Sequence, residues 1–125
     1  MGDLSKNFNR SEFACKGKNC CGHSAAVHPD LVDALQTLRD HIGKPLSITS
    51  GFRCNRHNKA VGGAEQSFHT LGMAADVSCC PAGVSPEQLA VIAEEIPLFR
   101  KGGIGVYASW VHLDVRQSGK ARWRS

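Results

Sequence analysis

Four polar residues in two short runs carry the first chemistry this chain offers. His69 and Asp76 stand seven positions apart in SFHTLGMAAD (residues 67–76), with mostly small residues between them. His112 and Asp114 stand two positions apart in WVHLDVR (residues 110–116). A histidine and an aspartate on one face of a sheet can bind a metal, pair with each other or face water. A catalytic zinc site uses three protein ligands and keeps a fourth, tetrahedral position for water. His69, Asp76 and His112 would supply two imidazole nitrogens and one carboxylate oxygen, which matches that open pattern. Spacing alone does not establish the site, because such matches carry a real false-positive rate.

The elements that must position these residues are legible from periodicity. In 110–116, side chains at i and i+2 share a strand face. His112 and Asp114 therefore point one way, with Trp110 on their side, while Val111, Leu113 and Val115 point into a core. Residues 73–79, MAADVSC, read as another strand, with Asp76 on it and His69 just before it across a turn that Gly72 permits. GIGVY (103–107) pairs with 110–116 as a hairpin around Ala108-Ser109. LSITS (46–50) alternates as a strand does. Residues 29–43 read as a helix, with Pro29 in its first turn, Leu31, Leu35, Leu38 and Ile42 at helical spacing, and Gly43 and Pro45 as stops. Ser85-Pro86-Glu87-Gln88 is a capping box that opens a second helix to about Ile96. Residues 1–28 look irregular and cysteine-rich, with one helical turn at SEFA that Ser11 could cap. Residues 51–68 form a long loop, of the kind that often carries function. The expected architecture is a small single α+β domain spanning 1–125, a mainly antiparallel sheet flanked by helices.

The chain has 125 residues, room for one domain with a real core. Its net charge of +4 is spread out apart from the tail KARWRS, so no dense stripe for nucleic acid is present. A mild preference for anionic surroundings, such as a cell-wall polymer, fits that charge. No apolar run approaches the roughly 20 residues of a membrane span, and MGDLSKNFNRSEFACKG lacks the apolar centre of a secretory signal. Six cysteines, Cys15, Cys20, Cys21, Cys54, Cys79 and Cys80, are many for this length. The even count predicts one or more disulfides. The rivals are free thiols and a zinc site in CKGKNCCGH from Cys15, Cys20, Cys21 and His23. Against that zinc site, no clean C-x-x-C is present and vicinal cysteines are poor tetrahedral partners.

SFHTLGMAAD resembles the Ser-x-His-x-x-Gly-x-Ala-x-Asp signature of the zinc D-alanyl-D-alanine carboxypeptidase family. Ser67, His69, Gly72, Ala74 and Asp76 fill its fixed positions. Relatives of that family include vancomycin-resistance D,D-dipeptidases, phage L-alanyl-D-glutamate endolysins and the hedgehog signalling domain. SGFRCNRHN resembles the family's Ser-Gly-Tyr-Arg segment, with Phe52 in place of Tyr and Arg53 matched. WVHLDVR resembles the endings of the carboxypeptidase branch. NFNRSEFACKG and HPDLVDALQTLRDHIGKPLSITSGFR are also similar to that branch, so the likeness covers nearly the whole chain.

The resemblance implies a hedgehog/D,D-peptidase-like fold and a Zn²⁺ held by His69, Asp76 and His112. It implies that Arg53 binds a substrate carboxylate or carbonyl, for which its planar fork is suited, with a loop-bracing ion pair as the alternative. Ser67 and Trp110 are candidate substrate contacts. Several branches place Asp or Glu three residues before the last histidine. Here Ser109 stands there, which is no base at neutral pH. Asp114 is the candidate general base, with Glu65, His57 and His23 in reserve. Its other reading is as a carboxylate that orients a ligand histidine.

The implied reaction is metal-assisted hydrolysis of peptidoglycan stem peptides by a D-alanyl-D-alanine carboxypeptidase. An L-alanyl-D-glutamate endopeptidase, a non-catalytic zinc-binding cell-wall module and a disulfide-stapled structural domain are the alternatives. The chain is read as a monomer acting in a periplasmic, extracellular or phage-associated setting, without nucleic-acid partners.

Overall fold

The computed structural model describes residues 3–17, 20–63, 67–78 and 83–124. Helix α1 (Pro29–Ile42) starts where the imidazole of His28 accepts the amide of Asp30 and Pro29 fits the first turn; it ends at Gly43 in the left-handed region. It buries Leu31, Val32, Ala34, Leu35 and Leu38. Strand β1 (Ser47–Ser50) follows, then a short helix α2 (Asn55–Ala60), a 3-10 turn at Phe68–Leu71 and strand β2 (Ala74–Ser78). Helix α3 (Pro86–Ala93) opens on Ser85, whose hydroxyl accepts the Gln88 amide while Gln88 accepts the Ser85 amide. A one-turn helix α4 (Pro97–Arg100) leads into β3 (Gly103–Val106), β4 (Trp110–Asp114) and β5 (Ala121–Arg124).

The five strands form one sheet in the order β1-β2-β4-β3-β5. All neighbours are antiparallel except β3 and β5, which run parallel. This is the small, mainly antiparallel α+β domain that the periodicity predicts. One face of the sheet, with Ala75, Val77, Ile104, Val111 and Leu113, packs on the helices with Leu35, Leu38, Leu89 and Phe99. The period of two along each strand puts every second residue on the opposite face, and that face carries the polar groups.

Among the described residues the segment before α1 is irregular apart from one 3-10 turn, as expected, and it is packed: Phe8, Phe13 and Cys15 are buried, and the Phe13 carbonyl accepts the Phe52 amide at 2.8 Å. The turn (Arg10–Phe13) is entered at Asn9, not at the expected Ser11, with Glu12 accepting the Asn9 amide at 2.7 Å. A further correction concerns the expected disulfide. Cys15, Cys20, Cys21 and Cys54 are free, and neighbouring sulfurs in the group stand 3.9–4.0 Å apart, against about 2.05 Å for an S–S bond. Cys79 and Cys80 lie outside the described residues.

Candidate metal centre

One row of paired residues crosses the polar face of the sheet. Ser50 on β1 faces Asp76 on β2, Asp76 faces His112 on β4, His112 faces Gly105 on β3, and Gly105 faces Trp123 on β5. Register therefore brings Asp76 and His112 side by side although they are 36 positions apart. His69 joins them from the 3-10 turn. The Ser67 hydroxyl accepts the His69 amide at 3.1 Å and opens the turn, and Gly72 closes it at φ 70.

His69 Nε2 lies 3.2 Å, and His112 Nδ1 3.3 Å, from the same oxygen of Asp76, Oδ1. The other nitrogen of each ring is already committed. His69 Nδ1–H donates to the Gly51 carbonyl at 2.8 Å, and His112 Nε2–H donates to Asp114 Oδ2 at 2.8 Å. A carbonyl and a carboxylate can only accept, so these partners fix both tautomers. The two remaining ring nitrogens therefore aim lone pairs at a carboxylate oxygen. Three acceptors that converge in a buried place are stable only with a cation among them, either a proton or a metal. Histidines oriented through their second nitrogen are the usual supporting arrangement of a metal site. The donor set fits zinc.

The electrostatics agree with this reading. Burial pushes the Asp76 carboxyl up, but the neighbouring imidazoles of His112 and His69, whenever they carry a proton toward it, outweigh burial and hold the carboxyl well below the usual range. Burial pulls His112 down, but its bonds to Asp114 and Asp76 outweigh that and raise it above its ordinary 6.5. A proton on His112 and a metal compete for the same lone pair. Below the raised His112 pKa the ring is charged and excludes the metal; above it the lone pair is free. Apparent zinc affinity is thus expected to rise with pH through that pKa, by roughly tenfold per unit for each proton displaced, and then to level off. Zinc titration with a competing chelator across the pH range checks the sign; an affinity independent of pH, once the chelator's own protonation is taken into account, would contradict it.

Arg53 reaches the site from the loop after β1. Its guanidinium donates to Asp76 Oδ2 at 3.2 Å, to Asn58 Oδ1 at 3.2 Å and to Ser50 Oγ at 3.1 Å. It braces the loop and also lines the cleft. The cleft, of about 560 Å³, is also lined by Ser67, Trp110 and Arg116 beside the three metal-ligand candidates.

Asp114 is fully buried behind His112. Gly103 and Arg116 amides donate to Oδ1, and the Arg116 side chain donates to both oxygens at 2.7 and 2.8 Å. Burial would raise its carboxyl, but the bonds from Arg116 and His112 hold it well below the usual range. Of the two roles left open by the sequence, this geometry favours orienting His112. His23 Nδ1–H donates to the Cys15 carbonyl at 2.9 Å, and His57 sits on α2. Neither lines the cleft. Glu65 lies outside the described residues.

Sequence reasoning missed Arg116, Tyr107 and Trp123. Tyr107 stacks on Trp110 with ring centroids 4.6 Å apart, and its hydroxyl accepts the Trp123 indole N–H at 2.9 Å. Trp123 lies 4.9 Å from the His112 ring, in a place that a Cβ on Gly105 would occupy. Arg116 lies over the Phe68 ring at 4.4 Å. The alternation Arg-Trp-Arg at 122–124 was the available signal for Trp123, obscured by its setting in a basic tail.

A protein-family model described as Peptidase M15 matches residues 6–114. No curated protein matches the chain.

Proposed function

Since the chain belongs to the peptidase M15 family, we propose that it is a zinc-dependent hydrolase of peptidoglycan stem peptides, acting as a D-alanyl-D-alanine carboxypeptidase. The observation that carries this reading is the convergence of His69, Asp76 and His112, each buried, at one end of a cleft.

These three residues would hold the zinc. When bound, zinc supplies a Lewis acid for the scissile carbonyl and lowers the pKa of a coordinated water to about 7. The chain's own groups do the rest. Asp114 holds His112 in the tautomer that presents Nδ1, and Gly51 does the same for His69 through its carbonyl. Arg53 places a guanidinium in the cleft, a setting that favours a substrate bearing a carboxylate, while Arg116 beside it is paired with Asp114. Tyr107, Trp110 and Trp123 give the cleft an aromatic side that shields the peptide from bulk water. The carboxylate preference is what favours removal of a terminal D-alanine over cleavage inside the stem.

Arg53→Lys keeps the charge but loses the fork. Hydrogen bonds to charged groups are worth about 1.5–3 kcal/mol, so kcat/KM is expected to fall by roughly 10- to 150-fold. Zinc content should stay near the wild-type level. Steady-state kinetics with metal analysis checks both, and an unchanged kcat/KM would remove Arg53 from substrate binding.

Mass spectrometry of purified peptidoglycan digested with and without chelator tests the activity. Release of free D-alanine that stops with chelator is expected. Internal cleavage would move the assignment to an endopeptidase, and no release at all would leave a zinc-binding module.

A further inference from the structure

The segment before α1 meets the arginine-bearing loop at four sulfurs. Cys15 Sγ lies 4.0 Å from Cys20 and 3.9 Å from Cys54, and Cys20 lies 3.9 Å from Cys21. All four sulfurs lie within 4.8 Å of one another. We propose that Cys15, Cys20, Cys21 and Cys54 form a second, structural metal site that takes zinc as a tetrathiolate and clamps the N-terminal segment to the loop carrying Arg53.

Distances decide between the three fates of such a group. A disulfide requires sulfurs about 2.05 Å apart, and none of these is near that. Free thiols have no reason to gather in fours. A tetrahedral zinc with Zn–S of about 2.3 Å sets its sulfurs about 3.8 Å apart, close to the observed contacts. Soft thiolates select zinc among the metals that need no redox change.

Two features of the local backbone support the site. The vicinal pair counted against a tetrahedral arrangement in the sequence, because adjacent side chains normally diverge. Here the chain turns immediately afterwards, with Gly22 at φ 68 and His23 at φ 62, both left-handed. Two amides also point at sulfur: Ser24 N–H to Cys21 and His57 N–H to Cys54, each at 3.4 Å. Such donors stabilise thiolates in metal sites. The sequence had offered His23 as the fourth ligand. Its Nδ1 is engaged with the Cys15 carbonyl, and Cys54, which is 39 positions from Cys15, completes the group instead.

The clamp has a use. Cys54 directly follows Arg53, and Phe52 is hydrogen-bonded to Phe13. A metal at the four cysteines would fix both ends of the short span that aims Arg53 at the cleft.

The test reads metal and sulfur, and so stands apart from any peptidase activity. The chain is purified with zinc under reducing conditions, as wild type and as the His69→Ala/His112→Ala double variant, and each is also loaded with cobalt. Two zinc ions per wild-type chain and one per double variant are expected. Cobalt in the wild type and in the double variant should give the intense near-ultraviolet sulfur-to-cobalt charge-transfer band. Cys54→Ser, which removes one of the four thiolates, should weaken that band. A cobalt-loaded wild type without the band would overturn the proposal even if every variant failed to fold. So would one zinc per wild-type chain that the double variant loses, iron as the retained metal, or a double variant that folds without metal.

Discussion

His69→Ala and His112→Ala are each expected to lose the zinc of the histidine–aspartate site and to fall to the turnover seen with chelator. Each substitution removes one of three protein donors, and two donors do not make the three-ligand set that a catalytic zinc requires. The effects should not add, because the second substitution acts on a site already lost. Stability responds differently in the two variants. His69→Ala leaves the Gly51 carbonyl without its imidazole donor in a buried place, a loss of about 1–3 kcal/mol. His112→Ala removes one of several partners of Asp114, which keeps its bonds to Gly103 and Arg116. Metal analysis beside kinetics is the measurement. Wild-type turnover with zinc retained in either variant would contradict the assignment of that histidine.

Asp114→Ala is expected to have the largest effect on stability. Asp114 is fully buried and takes the charge of Arg116 together with the Gly103 amide and the His112 imidazole. Removing one partner of a buried ion pair costs about 3–5 kcal/mol. For a domain of this size that lowers the melting temperature by on the order of 10 °C. Asp114→Asn keeps the shape and separates orientation from base catalysis. If Asp114 orients His112, the Asn variant binds zinc about 10- to 100-fold more weakly, and turnover recovers when zinc is raised to saturation. If Asp114 were instead the base, turnover would stay low at any zinc concentration. A stable, fully active Asn variant with normal zinc affinity would remove Asp114 from both roles.

Much of this was readable from residue order. The alternation in WVHLDVR put His112 and Asp114 on one face and Val111, Leu113 and Val115 on the other; the second set joins the hydrophobic core, while the first is buried among polar partners. Pro29 in a first turn and Ser85 as a cap marked the two longer helices. The signature around His69 and Asp76 pointed to the site because it rests on local turn chemistry and on one strand's register. What was not readable depended on contacts between distant segments. Strand β5 is an edge strand of four residues, two of them arginines, and it is held by parallel pairing to β3 and by Arg122 bonding Glu94 at 2.7 Å. No periodicity in the strand itself announces that partner. Helix α2 is too short to show a helical period, and the long loop was therefore read as unbroken. Cys54 lies far along the chain from the other three cysteines, so counting cysteines predicted disulfides where the fold assembles a group of thiols. The role of Asp114 turned on burial and saturation of its oxygens, which spacing does not reveal.

The account rests most heavily on a metal standing among His69, Asp76 and His112. Crystals grown with zinc, with data collected on either side of the zinc absorption edge, test that directly. Anomalous density is expected about 2.0–2.2 Å from His69 Nε2, His112 Nδ1 and an Asp76 oxygen, with a coordination position open to the cleft. A map with no density among those three side chains, in crystals that hold zinc elsewhere, would contradict it.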